Sequence, residues 1–207
     1  VTRAQLADAV ATALTAACPS SVARLRGSLA AGTADAFSDI DVEWLVPDGL
    51  VPACLADVRE VLDRVRPVAA VRTSPDFFHS AQRRLLFVRF AGVPLFWRLD
   101  LAVRETSAAP DPGPGDPAAH ARDGEWSRPA SALANALGAI KAVARGRLAD
   151  ATGLLDRGFA RIGEPDAATR RWVDDVTRLS RAAAAREAEL LPLAEETIAL
   201  AAAELGA

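Results

Sequence analysis

Residues 107–119 read Ser-Ala-Ala-Pro-Asp-Pro-Gly-Pro-Gly-Asp-Pro-Ala-Ala. Proline has no amide hydrogen to donate, and glycine loses the most backbone freedom on ordering. Neither a helix nor a sheet ladder can run through such a stretch. The chain is therefore expected to fold as two bodies, residues 1–106 and 120–207, joined by a linker over 107–119.

The two flanks differ in period. Before the linker, Leu6, Val10, Leu14 and Ala17 recur at helical spacing, which predicts a helix over 4–17. Val22 to Arg26 alternates as a short strand, and residues 40–46 read as a second strand closed by Pro47-Asp48-Gly49. Leu50, Cys54, Leu55, Val58, Val61, Leu62 and Val65 mark an amphipathic helix over 50–65. A short strand is predicted over 67–72. Residues 84–90 and 95–103, joined through Ala91-Gly92-Val93-Pro94, have the pattern of a β-hairpin.

After the linker only helical periods remain, over 129–146, 148–162, 166–189 and 192–205, with breaks at Gly163, Pro165 and Pro192. The fold class is α+β, with a C-terminal helical bundle. A crevice between two such domains is a common place for a ligand.

At 207 residues and 51% apolar composition the chain can bury a substantial core. The formal charge of −3 lacks the basic excess that displaces counterions from a polymer of phosphates, which argues against a nucleic-acid substrate. No stretch approaches the roughly 20 apolar residues of a membrane span, and no charged-then-apolar leader is visible. A cytoplasmic location is the expectation. Cys18 and Cys54 lie in apolar helical contexts and are expected to be buried free thiols.

The segment richest in chemistry is Arg26-Gly27-Ser28-Leu29-Ala30-Ala31-Gly32-Thr33-Ala34-Asp35-Ala36-Phe37-Ser38-Asp39-Ile40-Asp41-Val42. In a strand Asp39 and Asp41 leave the same face, while Ile40 and Val42 point to a core. Two neighbouring carboxylates repel unless they are protonated, screened or bridged by a cation. Oxygen-only ligation suits Mg²⁺, which takes few carboxylates together with substrate phosphates. Asp100 lies in Phe96-Trp97-Arg98-Leu99-Asp100-Leu101, an acid among large apolar groups that needs a partner. A cation shared with Asp39 and Asp41 would supply one. Gly27-Ser28 closes a strand and opens a helical run over 29–36, where backbone N–H groups and the Ser28 hydroxyl could donate to a phosphate. Ser38 is a second candidate donor.

A Gly-Ser pair, ten residues, Asp-Ile-Asp and a later strand Asp together resemble the DNA polymerase β-type nucleotidyltransferase superfamily. The spelling Gly-Ser-x-Ala-x-Gly-Thr-x-Asp-x-x-Ser-Asp-Ile-Asp is similar to its small-molecule (aminoglycoside and lincosamide) and minimal branches. The resemblance covers roughly residues 20–105. It implies a mixed β-sheet with flanking helices, triphosphate binding by Gly27 and Ser28, and two Mg²⁺ ions held by Asp39 and Asp41. Asp100 would join one of the ions. The implied reaction transfers a nucleoside monophosphate, AMP from ATP or the equivalent from another NTP, to a hydroxyl of a small molecule such as an antibiotic. A toxin–antitoxin type enzyme that modifies a protein is the rival, disfavoured by the long helical half. A non-catalytic nucleotide binder is the third reading.

Other residues carry weaker signals. Glu43 follows Asp41 on the same face, either as a general base alongside Asp100 or as an ion-pair partner of Arg98 or Arg89. Lys141, the single lysine, resembles the helical-domain lysine that contacts triphosphate in aminoglycoside relatives, and reads equally as a solvated lysine. His79 and His120 lack companions for zinc. Trp44 and Trp97 read as core; Trp126 reads as packing between domains, with stacking on a base or acceptor ring as the alternative, and Arg83-Arg84 as a solvated strand end, with a phosphate-side patch as the alternative. No P-loop, dinucleotide, zincin or nucleophile-elbow motif is present.

Overall fold

The computed structural model describes residues 1–110, 117–165 and 167–206. It divides into two compact units, Val1–Trp126 and Ser127–Ala207. The division falls later than the linker composition implies. Residues 117–126 return to the first unit because their backbone is tied there: His79 N–H donates to Ala119 C=O at 2.8 Å and Ala121 N–H to Pro75 C=O at 2.8 Å. His79 also meets Glu125 at 2.6 Å. Part of the expected linker, residues 111–116, lies outside the described residues.

The first unit is a mixed α+β body. Helix α1 (Arg3–Ala17) starts at a reciprocal cap between Thr2 and Gln5, which satisfies two of the amides a helix start leaves open. Strand β1 (Val22–Leu25), the short helix α2 (Gly27–Ala31) and β2 (Ile40–Val46) follow. Then come α3 (Val51–Val65), β3 (Val68–Thr73), β4 (Arg83–Phe90) and β5 (Leu99–Glu105). The five strands form one sheet in the order β1-β2-β5-β4-β3. The β2–β5 pair is parallel and the others are antiparallel. The predicted hairpin is present, but residues 95–97 form a 3₁₀ turn, so its second strand begins at Leu99 and runs on to Glu105.

Alternation decides which face holds chemistry. Ile40, Val42, Trp44 and Val46 are buried with Leu99, Leu101 and Val103, against Leu6, Val10 and Leu14 of α1 and Val58, Val61 and Leu62 of α3. Each such side chain contributes roughly 1.5–3 kcal/mol on burial. A one-residue slip of β2 would exchange all four for Asp41, Glu43 and Leu45, so the register is pinned by the core. The acids occupy the opposite face because the apolar residues take this one. Trp44 donates its indole N–H to Ser21 Oγ at 2.9 Å. Cys18 and Cys54 are free and buried in the same core, where burial, and then the neighbouring Cys18 thiol, push the Cys54 thiol up to about 12.

The second unit comprises α4 (Arg128–Ala144), α5 (Leu148–Arg161), α6 (Trp172–Arg186) and α7 (Leu191–Leu205). Helix α4 packs on the other three, starting from a Ser127 cap with Pro129 in its first turn. Helices α5 and α6 approach closely at Gly158, where a Cβ would fall 2.5 Å from Leu179 Cδ2. Helix α6 is shorter than its periodicity predicts, because Arg171 and Glu187 leave helical geometry at its two ends. Among the described residues no helix is long and apolar enough to cross a membrane.

Candidate active site on the sheet face opposite the core

The acids converge through strand register. In the parallel β2–β5 pair, Asp41 and Asp100 are direct partners, with backbones a strand spacing of about 4.8 Å apart and side chains on one face. Asp39 immediately precedes β2, and the same register places it beside Arg98: Ile40 N–H donates to Arg98 C=O at 2.9 Å. The loop that delivers Asp39 is fixed by Ser38, whose hydroxyl donates to Asp35 Oδ1 at 2.8 Å and accepts from Asp35 N–H at 3.0 Å. Arg3 of α1 holds the carbonyls of Asp35 and Ser38. Ser38 thereby shapes the approach to Asp39.

The Gly-Ser turn rests directly on Asp41. Arg26 N–H donates to Asp41 C=O at 2.8 Å. Gly27 has φ +58, and a Cβ there would fall 2.1 Å from Asp41 Oδ2 and 2.9 Å from its Cγ. Only glycine tolerates both the left-handed backbone and that approach. The helix after it is shorter than 29–36. It ends at Gly32, in the left-handed conformation with φ 69, whose N–H donates to Leu29 C=O. Thr33 N–H closes the turn on Ser28 C=O at 2.9 Å.

Arg98 is the residue the sequence reading missed. Its Nε donates to Asp100 Oδ1 at 2.6 Å and its Nη2 to Asp100 Oδ2 at 2.7 Å, while Nη2 also lies 3.5 Å from Asp39 Oδ2. The guanidinium sits 4.8 Å over the Phe87 ring, on the strand position paired with Asp100. The partner that an isolated Asp100 requires is thus supplied by the protein itself. Spacing held the clue, because residues 98 and 100 are two apart and leave the same side of an extended chain.

The electrostatics are unbalanced. Arg98 touches two of the three carboxylates, those of Asp100 and Asp39. Burial raises the Asp41 carboxyl above its usual range, the charge of Asp100 raises it further, and Arg98 only partly opposes them. Among the described residues no three acid, histidine or cysteine side chains gather into a ready-made metal cluster. That still fits Mg²⁺, which is ordinarily held by one or two carboxylates with phosphates and water completing its shell, rather than by an all-protein cage. The donors are oxygens, the pair Asp41 and Asp100 is in register, and its negative charge is only partly met.

Further along the same face the balance reverses. Glu43 accepts from Arg104 Nε at 2.8 Å, from Arg24 Nε at 2.7 Å and from Arg26 Nη1 at 3.4 Å. Burial pushes its carboxyl up, but the hydrogen bonds from Arg104 and Arg24 outweigh this and hold it below the usual range. The structural reading of Glu43 stands with different partners from the Arg98 or Arg89 expected. Arg24 is its cross-strand neighbour on β1, and Arg104 lies on β5.

Arg84 is tied to the carbonyls of Phe77 and Ser80 and braces a loop, so it is no solvated strand end. Lys141 lies on α4 of the second unit and is only 7% exposed, which removes the solvated-lysine reading. His120 is exposed. Compared with known proteins, the chain matches no family model and no curated sequence.

Proposed function

We propose that the first unit is the catalytic domain of a Mg²⁺-dependent nucleotidyltransferase that moves a nucleoside monophosphate, AMP from ATP in the simplest case, to a hydroxyl of a small molecule. The observation that carries this reading is the in-register pair Asp41 and Asp100, with Gly27 pressed against the Asp41 carboxylate. A triphosphate site beside a divalent-ion site needs a backbone turn and acids within a few ångströms of one another.

Asp41 and Asp100, with Asp39 beside them, would hold the ions. Bound Mg²⁺ neutralises phosphate charge and so lowers the barrier to displacement. Gly27 and Ser28 present backbone N–H groups and a hydroxyl to the phosphates. In the reaction the acceptor oxygen bonds to the α-phosphorus, the bond to the bridging oxygen breaks, and pyrophosphate leaves. The acceptor proton passes to a carboxylate. Glu43 is held by Arg24 and Arg104 and Asp100 by Arg98, and we take Asp100, the register partner of Asp41, as the base once Arg98 has moved.

The test is pyrophosphate release and label transfer from α-labelled nucleotides, across a panel of aminoglycosides and lincosamides. Asp41→Asn and Asp100→Asn should each lower transfer by about a hundredfold or more, with circular dichroism unchanged. Wild-type turnover in either variant would sink the assignment.

One observation favours a second reading, a nucleotide binder without turnover: Arg98 already neutralises Asp100 and touches Asp39. Under that reading ATP raises the melting temperature equally with Mg²⁺ or with EDTA, and no pyrophosphate forms with any acceptor.

A further inference from the structure

We propose that Arg98 is a built-in counter-ion for the acid cluster, which a divalent cation must displace in order to bind. The inference rests on the metal-site reading above and adds a condition to it. Both Asp100 oxygens accept from Arg98, at 2.6 and 2.7 Å, and the same guanidinium reaches Asp39 at 3.5 Å. It bridges an acid of β5 and one that immediately precedes β2, as a metal ion would. A cation drawing on Asp100 competes with a two-pronged, charge-assisted contact, the strong class of hydrogen bond. Phe87 backs the guanidinium at 4.8 Å, and the Arg98 side chain is only 19% exposed, so water screens the contact weakly.

Arg98 is also placed to let go. It lies between the 3₁₀ turn at 95–97 and the first residue of β5, so its side chain can swing without breaking the sheet ladder. A guanidinium forks onto phosphate as readily as onto carboxylate. A triphosphate arriving at the Gly27-Ser28 turn offers Arg98 such an acceptor and thereby uncovers Asp100. Metal and triphosphate binding are then coupled, each favouring the other. In the protein without nucleotide the acids remain paired with Arg98, and a free divalent ion binds poorly.

The experiment titrates the full chain with Mn²⁺ alone, without nucleotide, and reads free Mn²⁺ by electron paramagnetic resonance. Wild type is compared with Arg98→Gln, Arg98→Lys and the double variant Arg98→Gln with Asp41→Asn. Arg98→Gln should bind Mn²⁺ at least tenfold more tightly than wild type. Arg98→Lys, which keeps the charge but loses the fork, should fall between them, and the double variant should lose the gain. Mn²⁺ should also raise the melting temperature of Arg98→Gln more than that of wild type. If Arg98→Gln does not fold, Arg98→Lys carries the test, with a gain of threefold or more expected. Native circular dichroism with unchanged Mn²⁺ affinity overturns the proposal, as does a gain that survives loss of Asp41. Tight Mn²⁺ binding by Arg98→Gln, with no transfer by wild type to any acceptor, would instead leave the counter-ion in place and remove the transferase reading.

Discussion

Asp41 and Glu43 stand two residues apart on β2, on the same side of one sheet, in opposite surroundings. Glu43 is one carboxylate facing three arginines, and its side chain is 8% exposed. Asp41 stands beside the like charge of Asp100, which Arg98 only partly offsets, and its carboxyl is raised where that of Glu43 is lowered. Burial opposes ionisation at both positions. What differs is the ratio of cations to anions within reach. An acid with its charge met more than once is part of the scaffold, and an acid with its charge half met has capacity left for a ligand. A sequence reading that counts acids alone cannot separate the two.

Four substitutions, one of them a control, break or sharpen that contrast. The largest effect is expected from Glu43→Ala, which strands Arg104, whose side chain is 9% exposed. Losing one partner of a buried pair costs about 3–5 kcal/mol. Arg104 keeps its bond to Ala108 C=O at 2.7 Å, so the lower end of that range is expected in urea unfolding. Were Glu43→Ala as stable as wild type, Glu43 would not be scaffold.

Gly27→Ala is next. Its methyl must displace the Asp41 carboxylate and sit at φ +58, which should cost about 2–3 kcal/mol and depress pyrophosphate release. Gly32→Ala is the control. Gly32 has φ +69 with nothing within 4 Å of an added Cβ, so only backbone strain of about 1 kcal/mol remains. Equal losses from the two variants would show that contact with Asp41 is energetically unimportant.

Arg24→Ala should have the smallest effect. Arg24 meets the same carboxylate as Arg104 but is 49% exposed. Solvent screening limits such a pair to about 1 kcal/mol or less, and thermal unfolding should move by only a few degrees. A loss as large as that from Glu43→Ala would place the strength of the cluster at its wet edge.

Much of this was legible in the chain. Apolar alternation in Ile40, Val42, Trp44 and Val46 marks β2 and its inner face, and helical spacing marks α1 and α3. The Gly27-Ser28 turn and the acids at 39, 41 and 100 could be singled out because a glycine at a strand end and acids set among apolar strand residues stand out against their surroundings. Pairing partners were not legible. Whether Glu43 meets Arg98, Arg89, Arg24 or Arg104 depends on strand order and register, which one sequence does not encode locally. Residues 120–126 cluster with the first unit rather than with the helices that follow for a related reason, because their attachment through His79 and Pro75 joins segments distant in the chain.

The parallel pairing of β2 with β5 sets when the candidate site comes into being. Asp41 and Asp100 are adjacent in space but separated by about sixty residues of chain, so a long loop must close before they meet, at an entropic cost that local contacts do not repay. Helices α1 and α3 and the β4–β5 hairpin involve shorter separations and can form earlier. The charge cluster is therefore expected among the last features to assemble during folding, and a chain halted before β5 docks would hold Asp100 apart from Asp39 and Asp41.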